Sequence, residues 1–326
     1  MHREIGGYLE LERFGGTVFH ENALALSSGR ACLSYLIEQR EIRKIALPDY
    51  NCDIVAAVCR AHGVQTRFYR IGEDLRPTDP ETEDGEWLYL VNAYGQLSET
   101  ELRDYTARFP RLIVDNAHAY FMPPLPGVDT LYTCRKFLGV ADGGFLYTDA
   151  PGRELPEDQS LERMAFVLGR YERGAGEFYA ASARNNDELP AEPKRMSALT
   201  RNLLRAVDYE RVITRRTENC RTLHRALGKY NRLPFRPVEG AYMYPLRVAK
   251  GRELRQYLIG QKIYVPMLWP NVPLEQPPES PACRLAEQIV PLPCDQRYGP
   301  EEMAAVIEAV CSFLEPQKEN ATWQSM

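Results

Sequence analysis

An α/β fold with a mostly parallel central sheet and a smaller C-terminal α/β domain is what this sequence predicts. Three observations lead there. Strand and helix patterns alternate through residues 1–150, the strand patterns are nearly unbroken apolar runs, and a helical stretch then leads into a second alternating unit. Unbroken apolar strands are buried on both faces, as in parallel sheets covered by helices. Ligands of such sheets sit at the carboxyl ends of strands, so the segments after the strands are where chemistry is sought.

In LALSSGRACLSYLIEQ, Ser28 is a good N-cap and Gly29-Arg30-Ala31 form the first turn of a helix. IRKIALPDY reads as a strand ended by Pro48, and DIVAAVCRAHGV as a helix that stops at Gly63. QTRFYRI alternates, WLYLVN is a continuous apolar strand, and ETELRDYTARF is a short amphipathic helix. LIVD, TLYT and FLYT follow as strands. Residues 172–196 are small and polar and predict a segment with a mobile loop. A helical stretch from Ser197 to Leu227 opens the second unit, which reads as strand AYMYPLRV, helix GRELRQYLIG, strand KIYVP, a Pro-rich loop, helix PACRLAEQ and strand IVPLP. Its last helix carries Met303, Val306, Ile307 and Val310 on one face. The expected boundaries are 15–205 for the large domain, 206–316 for the small one, and a loose tail over 317–326.

The 326 residues are 44% hydrophobic and 26% charged, an ordinary globular composition. A net charge of −5 argues against a nucleic-acid partner, whose footprint would be basic. No apolar run approaches the ~20 residues of a membrane span, and MHREIGG does not read as a secretion signal, so no membrane partner and a cytoplasmic location are expected. Eight Cys form no Cys-x-x-Cys pair and five His are scattered, so no metal site is expected and the thiols are taken as reduced.

Three segments can carry chemistry. The helix start at Ser28–Ala31 offers free N–H groups and a dipole to an anion such as phosphate, and Arg30 adds a fixed charge. LIVDNAHAYF ends a buried strand in Asp115, with His118 three residues on. Such a carboxylate needs a cation or several donors; it could hold a protonated ring nitrogen, or bind magnesium in a nucleotidase. The second reading requires G-x-x-x-x-G-K-[ST], which is absent: the nearest Gly-Lys, Gly228-Lys229, is followed by Tyr230. In TLYTCRKFLGVADGGFLYT, Lys136 stands between two strands, expected to be buried beside Gly143-Gly144. Burial lowers a lysine's pKa and makes it a nucleophile toward carbonyls; an exposed loop lysine is the plainer alternative. An anion-binding helix start, a strand-end acid and a strand-end amine are together what pyridoxal phosphate (PLP) requires.

The order of these segments resembles the DegT/StrS family of sugar-nucleotide aminotransferases, members of the fold-type-I PLP transferases. SSGRACL is similar to the family's S-G-T-A-A-L, LPDYNCDIVAAVCRAHGV to P-x-x-T-x-x-A, YLVNAYGQL to h-x-Y/F-G, and VDNAHA to E-D-A-A-H/Q. CRKFLGVADGG resembles the lysine loop, RMSAL and RRTENC resemble R-M-S-E-L and R-R-x-N, and LPCDQRY resembles the C-terminal signature. The resemblance implies that Lys136 joins the cofactor's aldehyde and shuttles the proton, that Asp115 keeps the pyridine nitrogen protonated, and that His118 contacts the ring near its phenolic oxygen. It implies phosphate binding by Gly29, Arg30 and Ala31, and places Thr133 where the family has Ser or His.

Several positions depart from the pattern. Arg30 replaces a Thr, Leu131 a phosphate-binding Ser, and Pro193 an Asn that a neighbouring subunit supplies. Cys52 stands in place of an aromatic that stacks on the ring, a role Tyr50 is expected to take over. Arg135, Tyr94 and Trp269 are candidate pocket residues. The expected protein is a homodimeric, PLP-dependent aminotransferase that moves an amino group from an amino acid, glutamate being the expected donor, to a nucleotide-linked keto-sugar in polysaccharide or related sugar biosynthesis. Two alternatives stand: a PLP-dependent sugar dehydratase, disfavoured because such relatives carry His where this chain keeps Lys136, and a non-catalytic relative with a remodelled site.

Overall fold

Seven strands form one sheet in a computed structural model that describes residues 5–78 and 80–315; the tail expected over 317–326 lies outside them. The strands are β1 (Leu24–Leu26), β2 (Lys44–Pro48), β3 (Gln65–Tyr69), β4 (Trp87–Val91), β5 (Leu112–Asp115), β6 (Asp129–Thr133) and β7 (Gly144–Tyr147). Their order is β1-β7-β6-β5-β4-β2-β3. The pairs β2–β3, β2–β4, β4–β5 and β5–β6 are parallel, whereas β7 runs antiparallel to both β1 and β6. The two middle strands are the most apolar runs of the sequence: Leu88, Leu90 and Ile113 are fully buried.

Three helices connect these strands. Helix α1 (Gly29–Gln39) begins where Ser28 Oγ accepts the Ala31 N–H at 3.1 Å, as its N-cap residue predicts. Helix α2 (Asp53–Ala61) ends at His62, and Gly63 takes the left-handed conformation (φ +66°) that the exit requires. Helix α3 (Glu99–Arg108) is fixed by a reciprocal capping box between Ser98 and Glu101.

Beyond β7 the structure adds one helix and corrects the sequence reading in two places. Residues 172–196, expected to include a loop, also hold a helix: α4 (Ala165–Glu172) is followed by α5 (Tyr179–Glu188), whose buried Asn185 donates to the Ala141 carbonyl at 2.9 Å. The stretch 197–227 is broken into α6 (Ala198–Leu204) and α7 (Tyr209–Leu227), because Asp208 caps a new start by accepting from the Arg211 N–H at 3.0 Å. KIYVP forms no strand. Lys262 closes α8 (Gly251–Gly260) in the left-handed region (φ +61°), and the Ile263 N–H bonds the Leu258 carbonyl at 2.9 Å, as in a Schellman-type cap. The second sheet therefore has two antiparallel strands, β8 (Tyr244–Arg247) and β9 (Ile289–Leu292), with α7, α8 and α10 (Pro281–Gln288) against it, α9 (Val272–Glu275) against α10, and α11 (Pro300–Leu314) against α7 and α8.

Polar ties fix the segments around Lys136. Asp142, buried just before Gly143-Gly144, accepts from the Ser197 N–H and hydroxyl (both 2.8 Å) and from the Thr200 hydroxyl. Arg216 of α7 is buried; it donates to the carbonyls of Phe137 (2.9 Å), Ala241 (2.9 Å) and Tyr242 (3.2 Å) and to Gln296 Oε1 (2.7 Å). Asn219, one turn on, donates to the carbonyls of Cys294, Asp295 and Tyr298.

Gly144 is required by a close approach. A Cβ there would lie 2.5 Å from the carbonyl carbon of Ser28, where β7 passes the start of α1. Gly144→Ala is therefore expected to cost about 1–3 kcal/mol through overpacking against backbone. Thermal unfolding should show a lowered Tm for it and none for Gly152→Ala, whose added Cβ meets nothing within 4 Å.

Candidate active site

Parallel pairing of β5 with β6 sets Asp115 opposite Leu131, so the carboxyl ends of both strands open on one side of the sheet. Asp115 ends β5 and is buried. Its Oδ2 accepts from the Tyr89 hydroxyl at 2.7 Å, and its Oδ1 accepts from the Ala117 N–H at 2.8 Å. Burial raises its pKa, opposed first by the positive charge of Lys136 and then by these two donors.

Lys136 follows β6. The expectation that it is buried beside the two glycines is corrected: Lys136 is exposed. The glycines serve other contacts. A Cβ on Gly143, which has φ +123°, would lie 2.3 Å from Cys134 Sγ, and Gly144 faces Ser28. Protein crowding still lowers the Lys136 pKa, opposed by Asp115 and Cys52, while Arg135 pushes it further down. An amine with a depressed pKa and a facing carboxylate suits nucleophilic attack on a carbonyl.

Aromatic side chains border the cleft. Tyr242 lies 5.6 Å from Lys136 Nζ, measured to the ring centroid, and stacks on His118 at 4.4 Å. Trp269 lies parallel to His118 at 5.5 Å and meets Tyr50 edge-on at 4.5 Å. Tyr94 and Trp269 both adopt left-handed backbone (φ +53° and +58°), uncommon for aromatic residues. His118 Nδ1 accepts the Tyr94 N–H at 3.4 Å, and burial drives its pKa well down, so the ring is neutral and Nε2 carries the proton. That Nε2–H is buried with no partner.

Tyr50 is only 2% exposed and meets Trp269 edge-on. The Cys52 sulfur and the Lys136 amine shift each other's pKa, and Cys52 influences Arg30 as well.

Gly29, Arg30 and Ala31 form the first turn of α1, with Ser28 engaging the Ala31 N–H and the first-turn N–H groups of Gly29 and Arg30 outside the helix's own bonding. Arg30 Nη1 donates to the Leu189 carbonyl at 3.0 Å. The Thr133 hydroxyl donates to the Gly143 carbonyl at 3.2 Å, so its proton is committed within the sheet. Leu131 packs 3.9 Å from where a Gly29 Cβ would stand. Pro193 is buried in the same chain, next to Lys194, whose carbonyl accepts the Ser27 N–H at 2.9 Å.

Sequence reasoning missed Tyr89 and Tyr242, whereas Arg216 and Asn219 lie in the RRTENC motif that it singled out without giving them a role. Tyr89 had a signal, since a Tyr in a buried strand needs a partner for its hydroxyl. The position of Tyr242 follows from how the chain folds back on the cleft and carries no local pattern. A cavity of about 360 Å³ lies behind the loop, lined by Leu138, Val140, Leu203, Val212 and Gln296 among others, and touches neither Lys136 nor Asp115. Among the described residues no His, Cys, Asp and Glu cluster is arranged to hold a metal, and no helix is long and apolar enough to cross a membrane.

No family model matches the chain, and no curated protein matches it. Solved structures do. DesV of S. venezuelae, solved in complex with a ketimine intermediate, is 18% identical with a TM-score of 0.66, over 90% of this chain and 85% of that one. A DegT DnrJ EryC1 StrS aminotransferase from Brucella abortus is 14% identical, with a TM-score of 0.63 over 90% and 89%. The sugar aminotransferase CalS13 from Micromonospora echinospora is 16% identical, with a TM-score of 0.62 over 90% and 88%. At these identities the likeness is one of fold, and the mixed α/β architecture with its mostly parallel sheet is shared.

Because Asp115 raises the Lys136 pKa and crowding by the surrounding protein lowers it, Asp115→Asn should move that pKa further down, enlarging the neutral fraction of the amine at any pH near neutrality. The pH dependence of reductive methylation at Lys136 measures this. An unchanged or raised pKa in the variant would show that the two groups are not electrostatically coupled.

Proposed function

We propose that the chain is a DegT/StrS-type aminotransferase dependent on PLP, which moves an amino group from an amino acid to a nucleotide-linked keto-sugar. The observation that carries this reading is the facing of Lys136 and Asp115 at the ends of neighbouring strands, with the carboxylate held by Tyr89 and Ala117. The ordered motifs of the sequence and the fold shared with sugar aminotransferases support it.

The residues present fit the cofactor. An amine, a buried carboxylate, a helix start flanked by a guanidinium and an orphaned Nε2–H on His118 match its aldehyde, ring nitrogen, phosphate and ring hydroxyl in turn. When bound, the cofactor supplies an electron sink for the carbon that loses a proton. The chain's own part is positional and protolytic. Lys136 Nζ would hold the cofactor at its aldehyde and, as a free amine, would move the proton of the substrate carbon. Asp115 Oδ atoms keep the ring nitrogen protonated, because a buried carboxylate is stabilised by a facing cation. His118 Nε2–H donates to the ring oxygen, and the aromatic wall of Tyr242, His118 and Trp269 keeps that side dry. Cys52 acts electrostatically on the same amine.

Glutamate as donor, a homodimer, a cytoplasmic location and a role in polysaccharide or related sugar biosynthesis belong to the same reading. Retention of Lys136 favours amino transfer over dehydration, since it is the amine that returns the proton. The experiment is to load the protein with pyridoxamine phosphate and add a panel of nucleotide-linked keto-sugars. Return of the visible band of the lysine-linked cofactor with one of them is expected. No band with any sugar, nor with 2-oxoglutarate, would overturn the assignment as an aminotransferase and leave the non-catalytic relative.

A further inference from the structure

Two groups of exposed large apolar side chains flank helix α6. The N-terminal arm carries Ile5, Tyr8 and Leu9, each more than nine-tenths exposed; Leu161, just before α4, and Leu168 and Tyr171 on it form the other group. Asn202 of α6 grips the arm twice, accepting the Phe14 N–H at 3.0 Å and donating to the Glu12 carbonyl at 2.7 Å. A Cβ on Gly16 would collide with the Arg205 carbonyl oxygen just past the same helix. On the other side, the hydroxyls of Ser160 and of Ser197, the N-cap of α6, are bonded at 2.8 Å. The cavity of about 360 Å³ behind the lysine loop lies between these groups. Leu203 and Val207 line it from the α6 side and Leu138 and Val140 from the loop, and a Cβ on Gly139, which also lines it, would meet Val167 of α4 at 3.5 Å.

Beyond that grip the arm touches little of its own chain. Among the described residues, the only bond from residues 5–11 is the Glu10–Arg13 ion pair within the arm, at 2.9 Å. Gly6 and Gly7 hold left-handed backbone (φ +88° and +97°) with nothing within 4 Å of where a Cβ would stand. Fixing such a segment costs conformational entropy that burial of its apolar side chains must offset. Fully extended, residues 5–11 reach about 23 Å from their anchor. An arm and an empty cavity on one face are what an isologous two-fold contact requires: each arm enters the other copy's cavity and the contact closes. Charge agrees with this pairing. Glu12 is exposed, and so is Arg211 at the cavity, and neither has an ion pair among the described residues. Asp208, which also lines the cavity, is committed to capping α7 through the Arg211 N–H at 3.0 Å.

We propose that two copies of the chain associate through the face around α6, the N-terminal arm of each seating its apolar side chains in the cavity behind the other's lysine loop. This goes beyond the homodimer of the functional reading by naming its surface and the segment exchanged, and it does not depend on the cofactor. Leu138 and Val140 are walls of the cavity, so the incoming arm packs against the back of the loop that carries Lys136. The loop of each copy is then supported by the other.

The test uses the full chain, and the side chains changed are exposed, so folding is not at stake. Sedimentation equilibrium gives the dimer dissociation constant of wild type and of the double variant Tyr8→Ser, Leu9→Ser. The constant should rise about tenfold or more in the variant. An unchanged constant overturns the exchange, and so does a wild type that is monomeric at every concentration. Placement is read with a photoreactive benzoylphenylalanine in place of Tyr8, cross-linked in a mixture of isotope-labelled and unlabelled chains and mapped by peptide mass spectrometry. Mixed-isotope pairs joining the arm to residues 137–140 or 203–212 are expected. Same-isotope pairs alone would put the arm on its own chain; cross-links to another surface, or none, would refute the cavity as its seat. Amide hydrogen exchange at residues 137–140 should also quicken in the double variant, and an unchanged rate would mean that the arm does not support the loop. None of these readouts involves the cofactor. Their failure leaves the functional reading standing, whereas a chain that exchanges arms yet takes up no cofactor overturns that reading alone.

Discussion

A carboxylate buried at the end of β5 sets the terms for the cleft around it. Left without donors or a cation, Asp115 would protonate, since burial already raises its pKa. Three groups oppose that: the Tyr89 hydroxyl, the Ala117 N–H and the charge of Lys136. Each comes from a different segment, so the ionisation of one carboxyl depends on the pairing of β4, β5 and β6. The dependence is mutual, because Asp115 also holds up the pKa of the lysine.

That mutual dependence explains why so much of the second unit is turned toward the loop after β6. Arg216 spans from α7 to the carbonyl of Phe137, directly after Lys136, and to those of Ala241 and Tyr242, which carry the ring facing the amine. A buried guanidinium with four acceptors works as a bracket: it satisfies carbonyls that have no partner in either sheet. Asn271 at the start of α9 donates to the Asn51 carbonyl at 3.2 Å, which ties the turn bearing Trp269 to the segment holding Tyr50 and Cys52. Cleft walls from both units are therefore registered by hydrogen bonds rather than by apolar contact alone.

Much of this was legible in the residues. Ser28, Asp115 and Lys136 sit at strand-to-helix or strand-to-loop junctions that continuous apolar runs mark clearly, and the sheet follows from those runs. Side-chain direction was not legible. Tyr50 packs edge-on against Trp269, over 200 residues away in the chain. KIYVP alternates like a strand, yet the left-handed turn at Lys262 and the cap it gives α8 prevail over that pattern. Lys136 is expected from the sequence to be buried beside Gly143-Gly144, whereas those glycines make room for Cys134 and Ser28. Local pattern reports period and burial; it is silent on which distant atom occupies the space beside a glycine.

The central claim is that one amine, that of Lys136, is the covalent partner of the cofactor. Reduction of the PLP-loaded protein with borohydride, followed by peptide mass spectrometry, tests it most directly. The account predicts a phosphopyridoxyl adduct on the peptide containing Lys136 and on no other lysine. An adduct on Lys194 or Lys262, or none at all, would contradict it.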